Sequence, residues 1–258
     1  MTRPNVLIVA GLDPSGGAGL IADIRVCEQL GCRPVAVVTA LTEQSTVEVR
    51  SINTVPPMVI GDQLRMLLTD IEVAAVKLGM LGSEAIADEV ARALELTAAP
   101  VVWDPVLRPT RGQVFLYEGD PARAIELLDG LVALCTPNAD EAAAMTGRAV
   151  TSVGDAIAVG VDLHQRGMTA TLVKGGHWGA TDQVLDVLVT ADGHELLVGP
   201  RIVTDGPIHG TGCALSTAIA CHLALGRGLE EACRAARAYV ADRVAAPVSP
   251  GVGRASVL

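Results

Sequence analysis

Aromatic side chains are scarce in this chain of 258 residues, which contains two Trp, two Tyr and one Phe. Stacking of bases on aromatic platforms is therefore excluded as a main mode of nucleic-acid binding. The formal net charge of −10 further disfavours a polyanionic polymer as a partner. A small phosphate ligand stays open, because a local pocket can oppose the field of the whole protein.

Paired cysteine motifs and long apolar runs are also missing. The six cysteines form no CxxC pair, and their spacing matches neither a zinc site nor a disulfide framework. Most lie within apolar runs, which predicts small core residues in a reducing compartment. The sequence shows no signal peptide and no uncharged apolar stretch of about 18 residues. We therefore predict a soluble cytoplasmic protein without a membrane partner.

What the chain has in quantity is apolar residues, which make up 50% of it. This content suffices for the core of a single domain spanning 1–258. Short continuous apolar runs predict buried parallel strands at 5–10, 34–41, 74–78, 100–103, 131–135 and 169–173. Helical patterns fall at 18–30, 59–69, 83–96, 122–128, 153–166 and 229–244. This alternation predicts an α/β fold with a doubly wound, mainly parallel sheet and helices on both faces.

Three further segments have weaker patterns. Two runs joined at Asp192-Gly193, at 182–190 and 194–198, predict a small hairpin at the sheet edge. Residues 42–46 form a polar interruption, and 47–55 alternate as an exposed or edge strand does. The tail at 247–258 is expected to be frayed.

The stretch His209-Gly210-Thr211-Gly212-Cys213 precedes a run of small apolar residues, which predicts a tight loop opening into a buried helix. A helix start offers unpaired N–H groups and a positive dipole end, which together suit a phosphate. Cys213 falls in the first turn, where the pKa of a thiol tends to fall. The competing interpretation is a turn of small residues that packs a helix onto the sheet.

Polar residues follow several predicted strands. Asp104 stands at the carboxyl end of one strand, where ligands and metals bind in open α/β sheets, although an Asp before Pro also initiates turns. Asn138 and Glu141 have the spacing of a helix capping box, which does not exclude contact with metal-bound water. Lys174, beside two glycines, can reach a phosphate, although solvated loop lysines are common. Right-handed crossovers bring such strand ends to one edge of the sheet.

Seven segments in this order resemble the ribokinase-like superfamily and, within it, the hydroxymethylpyrimidine/phosphomethylpyrimidine kinases of thiamin biosynthesis. They are AGLDPSGGAGLIAD at 10–23, VTALTEQST at 38–46, KLGML at 77–81, WDPVL at 103–107, TPNADEA at 136–142, KGGH at 174–177 and HGTGC at 209–213. The resemblance covers nearly the whole chain and implies a ribokinase-like kinase that uses ATP and Mg²⁺. It also implies a homodimer.

The resemblance implies roles for individual residues. The positions that enclose the pyrimidine are Gly11, Asp23, Gln44, Met80 and Leu107, and Asp23 and Gln44 would hydrogen-bond the amino group and ring nitrogens. The metal positions are Asp104 and Glu141, acting through water. The nucleotide positions are Asn138, Lys174 and Thr204. The catalytic positions are Gly210, Thr211 and Gly212 as an anion hole, and Cys213 as the base that replaces the aspartate of most superfamily members.

The chain departs from the family pattern in three places, one of which is a C-terminal tail that is shorter and lacks the usual ending. The segment Arg108-Pro109-Thr110-Arg111-Gly112 lacks the usual lysine, and Arg108 or Arg111 would have to supply its charge. Pro207-Ile208 replaces the usual Asn-Thr before His209. Two alternatives therefore stay open beside the pyrimidine kinase: a kinase for a pyridoxal-type vitamin, and a non-catalytic pyrimidine-binding regulatory protein on the same fold.

Overall fold

The computed structural model describes residues 3–107, 116–176 and 182–258. Within these residues, nine strands form one sheet in the order β3-β2-β1-β4-β5-β6-β7-β8-β9. The strands are β1 (Asn5–Leu12), β2 (Arg33–Gln44), β3 (Val49–Thr54), β4 (Ala75–Leu78), β5 (Val101–Trp103), β6 (Leu134–Cys135), β7 (Thr171–Val173), β8 (Gln183–Thr190) and β9 (Gly193–Pro200). The segment with the absent lysine, 108–112, lies outside the described residues.

The strands from β2 to β7 in this order pair in parallel, and antiparallel strands flank them. The predicted edge hairpin is confirmed as β8 and β9, which pair from Gln183–Pro200 to Thr190–Gly193. The predicted edge strand is β3 at the opposite edge. Parallel pairing explains the continuous apolar runs, because both faces of these strands are covered.

Helices cover both faces of the sheet, as the sequence predicts. They are α1 (Gly19–Gln29), α2 (Pro57–Asp70), α3 (Glu84–Leu94), α4 (Pro121–Leu127), α5 (Ala139–Thr146), α6 (Val153–Gln165), α7 (Thr211–Ala224) and α8 (Leu229–Ala245). One apolar core lies between the sheet and α2 to α6, and the other lies between the sheet and α1, α7 and α8. No helix among the described residues has both the length and the apolar character of a membrane span.

Strand β2 runs further than predicted. The apolar run predicts its end at residue 41, but Thr42 pairs with Ile52 and Gln44 pairs with Val49 of β3. This two-stranded extension leaves side chains partly or fully exposed, so polar residues are tolerated where a buried strand would exclude them. The extension carries Gln44 out over the carboxyl edge of the sheet.

The prediction of a frayed tail is wrong. Ser256 and Val257 are buried, and Ser256 exchanges two backbone hydrogen bonds with Val248. The tail also pairs with His209, and the backbone N–H of Arg254 donates to the carbonyl of Thr46. The tail therefore joins the β2–β3 turn to the segment that precedes α7.

Candidate active site

The carboxyl ends of the parallel strands gather polar side chains at one edge of the sheet. Asp104, which follows β5 and is almost fully buried, lies at the centre of this cluster. Its carboxylate lies 2.8 Å from Nζ of Lys174, and the hydroxyls of Thr136 and Ser216 each lie 3.4 Å away. Lys174 follows β7 and keeps 15% of its side chain exposed, so two non-adjacent strands supply one mostly buried ion pair.

Glu141 joins this pair from the start of α5. Its Oε2 lies 3.7 Å from Nζ of Lys174, and the capping box with Asn138 is present in both directions. Burial raises the pKa of Glu141 to about 7, because the nearby Asp104 carboxylate adds to the effect and Lys174 only partly opposes it. The capping role and a place in the site are therefore compatible, as the sequence suggests.

The start of α7 faces the same cluster. Gly210 is the N-cap residue with φ of +82°, and a Cβ there would run into the backbone carbonyl of Gly17. A Cβ on Gly212 would lie 3.3 Å from Nζ of Lys174. Only glycine fits at position 210, and the glycine at position 212 lets the helix backbone lie close to Lys174. The start of α7, whose first N–H groups have no partner within the helix, thus lies beside the mostly buried ammonium group of Lys174.

A second buried ion pair lies one step further along the sheet. Lys77 of β4 and Asp23 of α1 have no exposed surface, and their Nζ and Oδ2 atoms lie 2.5 Å apart. The hydroxyl of Thr217 in α7 donates to the other oxygen of Asp23, at 2.7 Å. Burial lowers the pKa of Lys77, but Asp23, with smaller contributions from Cys213 and Asp104, outweighs this effect, and the pKa lies above its usual value.

Cys213 lies between the two ion pairs. It is half-buried, whereas the other five cysteines are buried, as predicted. The thiol is close enough to Lys77, Asp23 and Asp104 for their charges to act on it, and the N–H of Gly19 donates to it. Burial raises its pKa to about 11, with the two carboxylates adding to the rise and Lys77 opposing it. The expectation that a helix start lowers this pKa is therefore wrong, because burial and two nearby carboxylates outweigh the dipole.

Comparison with known protein families assigns the chain to one of them. The sequence model of the family described as Phosphomethylpyrimidine kinase matches residues 13–257. The chain belongs to this family. The site described above therefore lies in a member of the phosphomethylpyrimidine kinase family, and the fold is the ribokinase-like one that the sequence predicts.

Two relatives illustrate the range of lengths. The chain is 39% identical over 254 residues to a thiamine biosynthesis bifunctional protein of Geobacter sulfurreducens, covering 97% of this chain and 51% of that protein. It therefore spans about half the length of this bifunctional relative. It is 36% identical over 255 residues to the hydroxymethylpyrimidine/phosphomethylpyrimidine kinase of Streptomyces coelicolor, covering 98% of this chain and 94% of that one.

Two solved structures are similar over nearly the full chain. A phosphomethylpyrimidine kinase of Clostridium difficile is 31% identical with a TM-score of 0.80, over 94% of this chain and 100% of that one. The pyridoxal kinase of Staphylococcus aureus in complex with ADP is 26% identical with a TM-score of 0.90, over 100% of this chain and 94% of that one. The chain is thus similar in overall structure to a phosphomethylpyrimidine kinase and to a pyridoxal kinase.

The residues predicted to enclose the pyrimidine are only partly brought together. A Cβ on Gly11 would lie 2.5 Å from Cε of Met80, so these two positions form one surface. Gln44 lies beside His209, 3.3 Å from its imidazole. Asp23 is instead fully buried with both oxygens hydrogen-bonded, and Leu107 packs in the core under α2 to α6. Direct contacts from Asp23 and Leu107 to a substrate stay predictions.

Of the residues predicted to contact the nucleotide, two lie in the site and one lies in a separate loop. Asn138 and Lys174 form a β-bridge, so both lie beside Asp104 and Glu141. The hydroxyl of Thr204 donates to the carbonyl of Gly206 within its own loop, at 2.7 Å. Its contact with a nucleotide phosphate stays a prediction.

Several residues that build the site have no role that the sequence predicts: Asp13, Lys77, Thr136, His209, Ser216 and Thr217. The clearest available signal was Lys77, a charged residue inside the apolar run AAVKL. A buried lysine requires a partner carboxylate, so its place in a core strand predicts an ion pair. The hydroxyls at 216 and 217 carried no such signal, because Ser and Thr are ordinary helix residues.

Proposed function

We propose that this protein is an ATP-dependent kinase of thiamin diphosphate biosynthesis. Its acceptor is 4-amino-5-hydroxymethyl-2-methylpyrimidine, the monophosphate of that alcohol, or both. The observation that carries the proposal is the start of α7, where Gly210 to Cys213 open between the Lys174–Asp104 pair and the Lys77–Asp23 pair. Family membership and the relatives' names support the same activity.

Some residues of the cleft position the phosphate groups, and Cys213 takes part in proton transfer. Backbone N–H groups of Gly210, Thr211 and Gly212, together with Lys174, hold phosphate oxygens and the charge that develops on them. The acceptor oxygen forms a bond to the γ-phosphorus while the bond from that phosphorus to the bridging oxygen breaks, releasing ADP. The proton of the acceptor passes to the Cys213 thiolate. Most of the acceleration comes from positioning and charge stabilisation.

The residues at Asp104 and Glu141 suit Mg²⁺. Both offer carboxylate oxygens, which are the hard ligands this ion takes, and burial raises the pKa of Glu141 although Lys174 lies nearby. Among the described residues no three His, Cys, Asp or Glu side chains are grouped as a metal site, so water and phosphate oxygens would complete the shell. When bound, the ion neutralises charge on the nucleotide phosphates.

We expect Glu141→Gln to raise the Mg²⁺ concentration needed for half-maximal tightening of ADP binding by about tenfold or more. Glutamine keeps the hydrogen bond from the Asn138 N–H, so the helix cap survives while the charge is lost. Calorimetric titration of ADP at increasing Mg²⁺ measures the effect. Asp140→Asn removes an exposed carboxylate from the same turn and should change nothing; equal behaviour of both variants would contradict the metal role.

The proposed assembly is a homodimer in the cytoplasm. The family resemblance implies the dimer. Exposed apolar side chains close to the β2–β3 edge are consistent with a second copy there: Leu41, Val47, Met58 and Val59. The scarcity of aromatic residues and the negative charge support a small-molecule partner rather than nucleic acid.

An ADP-release assay tests the function directly. We expect ATP turnover in the presence of the aminopyrimidine alcohol or its monophosphate, and weaker turnover with pyridoxal. A site that hydrogen-bonds an aminopyrimidine rejects an analogue without the amino group strongly, by a factor of up to about 10⁴.

The pyridoxal alternative is favoured by one observation, the TM-score of 0.90 to a pyridoxal kinase against 0.80 to a phosphomethylpyrimidine kinase. Higher catalytic efficiency on pyridoxal would establish it. Binding of the aminopyrimidine without any release of ADP would instead establish the non-catalytic alternative.

A further inference from the structure

His209 joins the glycine-rich loop to the end of β2 at the mouth of the cleft. Its Nε2 lies 3.1 Å from Oδ2 of Asp13 in the glycine-rich loop and 3.3 Å from the side-chain amide nitrogen of Gln44 on β2. The ring is partly exposed, with 22% of the side chain accessible. His209 has no role in the phosphoryl transfer proposed for this site.

Asp13 determines which way the proton on His209 points. Its carboxylate accepts hydrogen bonds from the N–H and hydroxyl of Ser15, at 2.8 and 2.7 Å, and from the N–H of Ala18, at 3.1 Å. Burial works against the charge, but the bonds from His209 and Ser15 outweigh it and lower the pKa of Asp13. An ionised carboxylate only accepts, so Nε2 of His209 must carry the hydrogen.

That hydrogen constrains Gln44. The structure places the amide nitrogen of Gln44 beside Nε2 of His209, which sets two donors against each other. Because a nitrogen that already donates cannot accept from an amide NH₂, we exchange the amide nitrogen and oxygen of Gln44, so that its oxygen faces His209 and shares the Nε2 hydrogen with Asp13. The exchanged amide nitrogen then takes the place of the oxygen that lies 3.2 Å from the hydroxyl of Thr42 and can donate to that hydroxyl, which itself donates to the carbonyl of Leu12 at 2.9 Å. In this orientation every donor in the chain of bonds has an acceptor.

The imidazole is held in place by the packed tail. The backbone N–H of His209 donates to the carbonyl of Ala255 at 2.9 Å, and the N–H of Val257 donates to the carbonyl of His209 at 3.2 Å. On the other side the ring packs against Gly17, where a Cβ would lie 2.9 Å from Cδ2 of His209. The tail therefore fixes the position from which His209 acts on Gln44.

We propose that His209 is a positioning residue that fixes the orientation of the Gln44 amide and thereby the selectivity of the cleft for aminopyrimidines. The amide keeps one N–H and one oxygen lone pair for a ligand. An aminopyrimidine presents a matching ring-nitrogen acceptor beside an amino donor, and a hydroxypyridine aldehyde lacks that pair. This inference rests on the proposed function, because it takes Gln44 as the residue that contacts the acceptor.

His209→Phe tests the proposal because it keeps a flat ring and removes the donor. We expect the KM for the aminopyrimidine alcohol to rise about tenfold or more, the KM for ATP to stay within about twofold, and the preference over pyridoxal to fall in parallel. His209→Gln should restore most of the affinity, since its amide nitrogen can occupy the place of Nε2. His194→Phe, on the exposed part of β9, is the matched control.

A double-mutant cycle separates positioning from structural damage. In a Gln44→Ala background, His209→Phe should have no further effect on the KM for the pyrimidine, because the residue through which it acts is gone. Additive effects would overturn the proposal. So would a His209→Phe variant in which both KM values rise together, or one that His209→Gln fails to rescue.

A second readout does not depend on turnover. The imidazole ¹⁵N spectrum of the free protein should show the hydrogen of His209 on Nε2, and calorimetry should show weaker binding of the aminopyrimidine to His209→Phe. If the wild type binds the aminopyrimidine but releases no ADP, the proposed function fails while these two measurements still decide the role of His209. A hydrogen on Nδ1 alone, or unchanged binding, would overturn it.

Discussion

Replacing Asp23 with asparagine is expected to lower the free energy of unfolding by about 3–5 kcal/mol. The variant leaves the ammonium of Lys77 without a counter-charge in a position that has no exposed surface. Asparagine keeps the size of the side chain and an oxygen that can accept from Thr217, so the loss of charge is the main change. Urea unfolding followed by circular dichroism measures the difference.

A double variant tests whether the loss of stability comes from the unpaired charge. Lys77→Met alone should also be destabilising, whereas Asp23→Asn combined with Lys77→Met should cost less than the sum of the two, since neither partner then stays charged and buried. Asp88→Asn is the control, because its ion pair with Arg92 is exposed and is worth about 0–1 kcal/mol. A strictly additive double variant would show that the pair is not coupled.

The same ion pair illustrates what the sequence could reveal of the site. The run AAVKL indicates that Lys77 is buried and therefore paired, but nothing local identifies the partner. Asp23 lies on α1, and only the packing of α1 against α7 and the sheet brings it within 2.5 Å. By contrast, the residues at strand ends, such as Asp104 and Lys174, were predictable as neighbours, because parallel strands end at a common edge.

The fold was predictable for a similar reason. Continuous apolar runs marked the parallel strands, since burial on both faces leaves little choice of residue. The pattern failed where burial is partial or comes from distant segments. Thr42 to Gln44 extend β2 because β3 pairs with them, and the tail is ordered because Ser256 pairs with Val248 and packs beside His209. Neither partner lies in the local pattern from which an element is predicted.

The pKa of Cys213 shows the limit of local reasoning about chemistry. Its place in the first turn of α7 favours the thiolate, but its value depends on groups from three other elements: Lys77 on β4, Asp23 on α1 and Asp104 after β5. Burial raises that pKa to about 11, so the thiol is the main form at neutral pH in the free protein. A catalytic base that is mostly protonated at neutral pH should give a rate that rises with pH.

Replacing Cys213 with alanine is expected to lower kcat by about 10²–10⁴-fold, which is the usual contribution of a general base. The fold should be unaffected, because Cys213 is only half-buried and alanine suits a helix. Cys233→Ala, which alters a buried cysteine on α8, should keep turnover within about twofold. Steady-state ADP release at saturating ATP and pyrimidine gives the comparison, with urea midpoints to verify folding.

The pH profile distinguishes a base from a merely packed residue. Below the pKa of about 11 the thiolate fraction increases with pH, so kcat of the wild type should rise from about pH 7 to 10. Cys213→Ala should lose this rise together with the rate. If turnover of the alanine variant is instead unchanged, proton removal does not limit the reaction, and the start of α7 with Lys174 carries catalysis alone. The residual rate of the variant therefore measures what positioning and charge stabilisation achieve without the thiol.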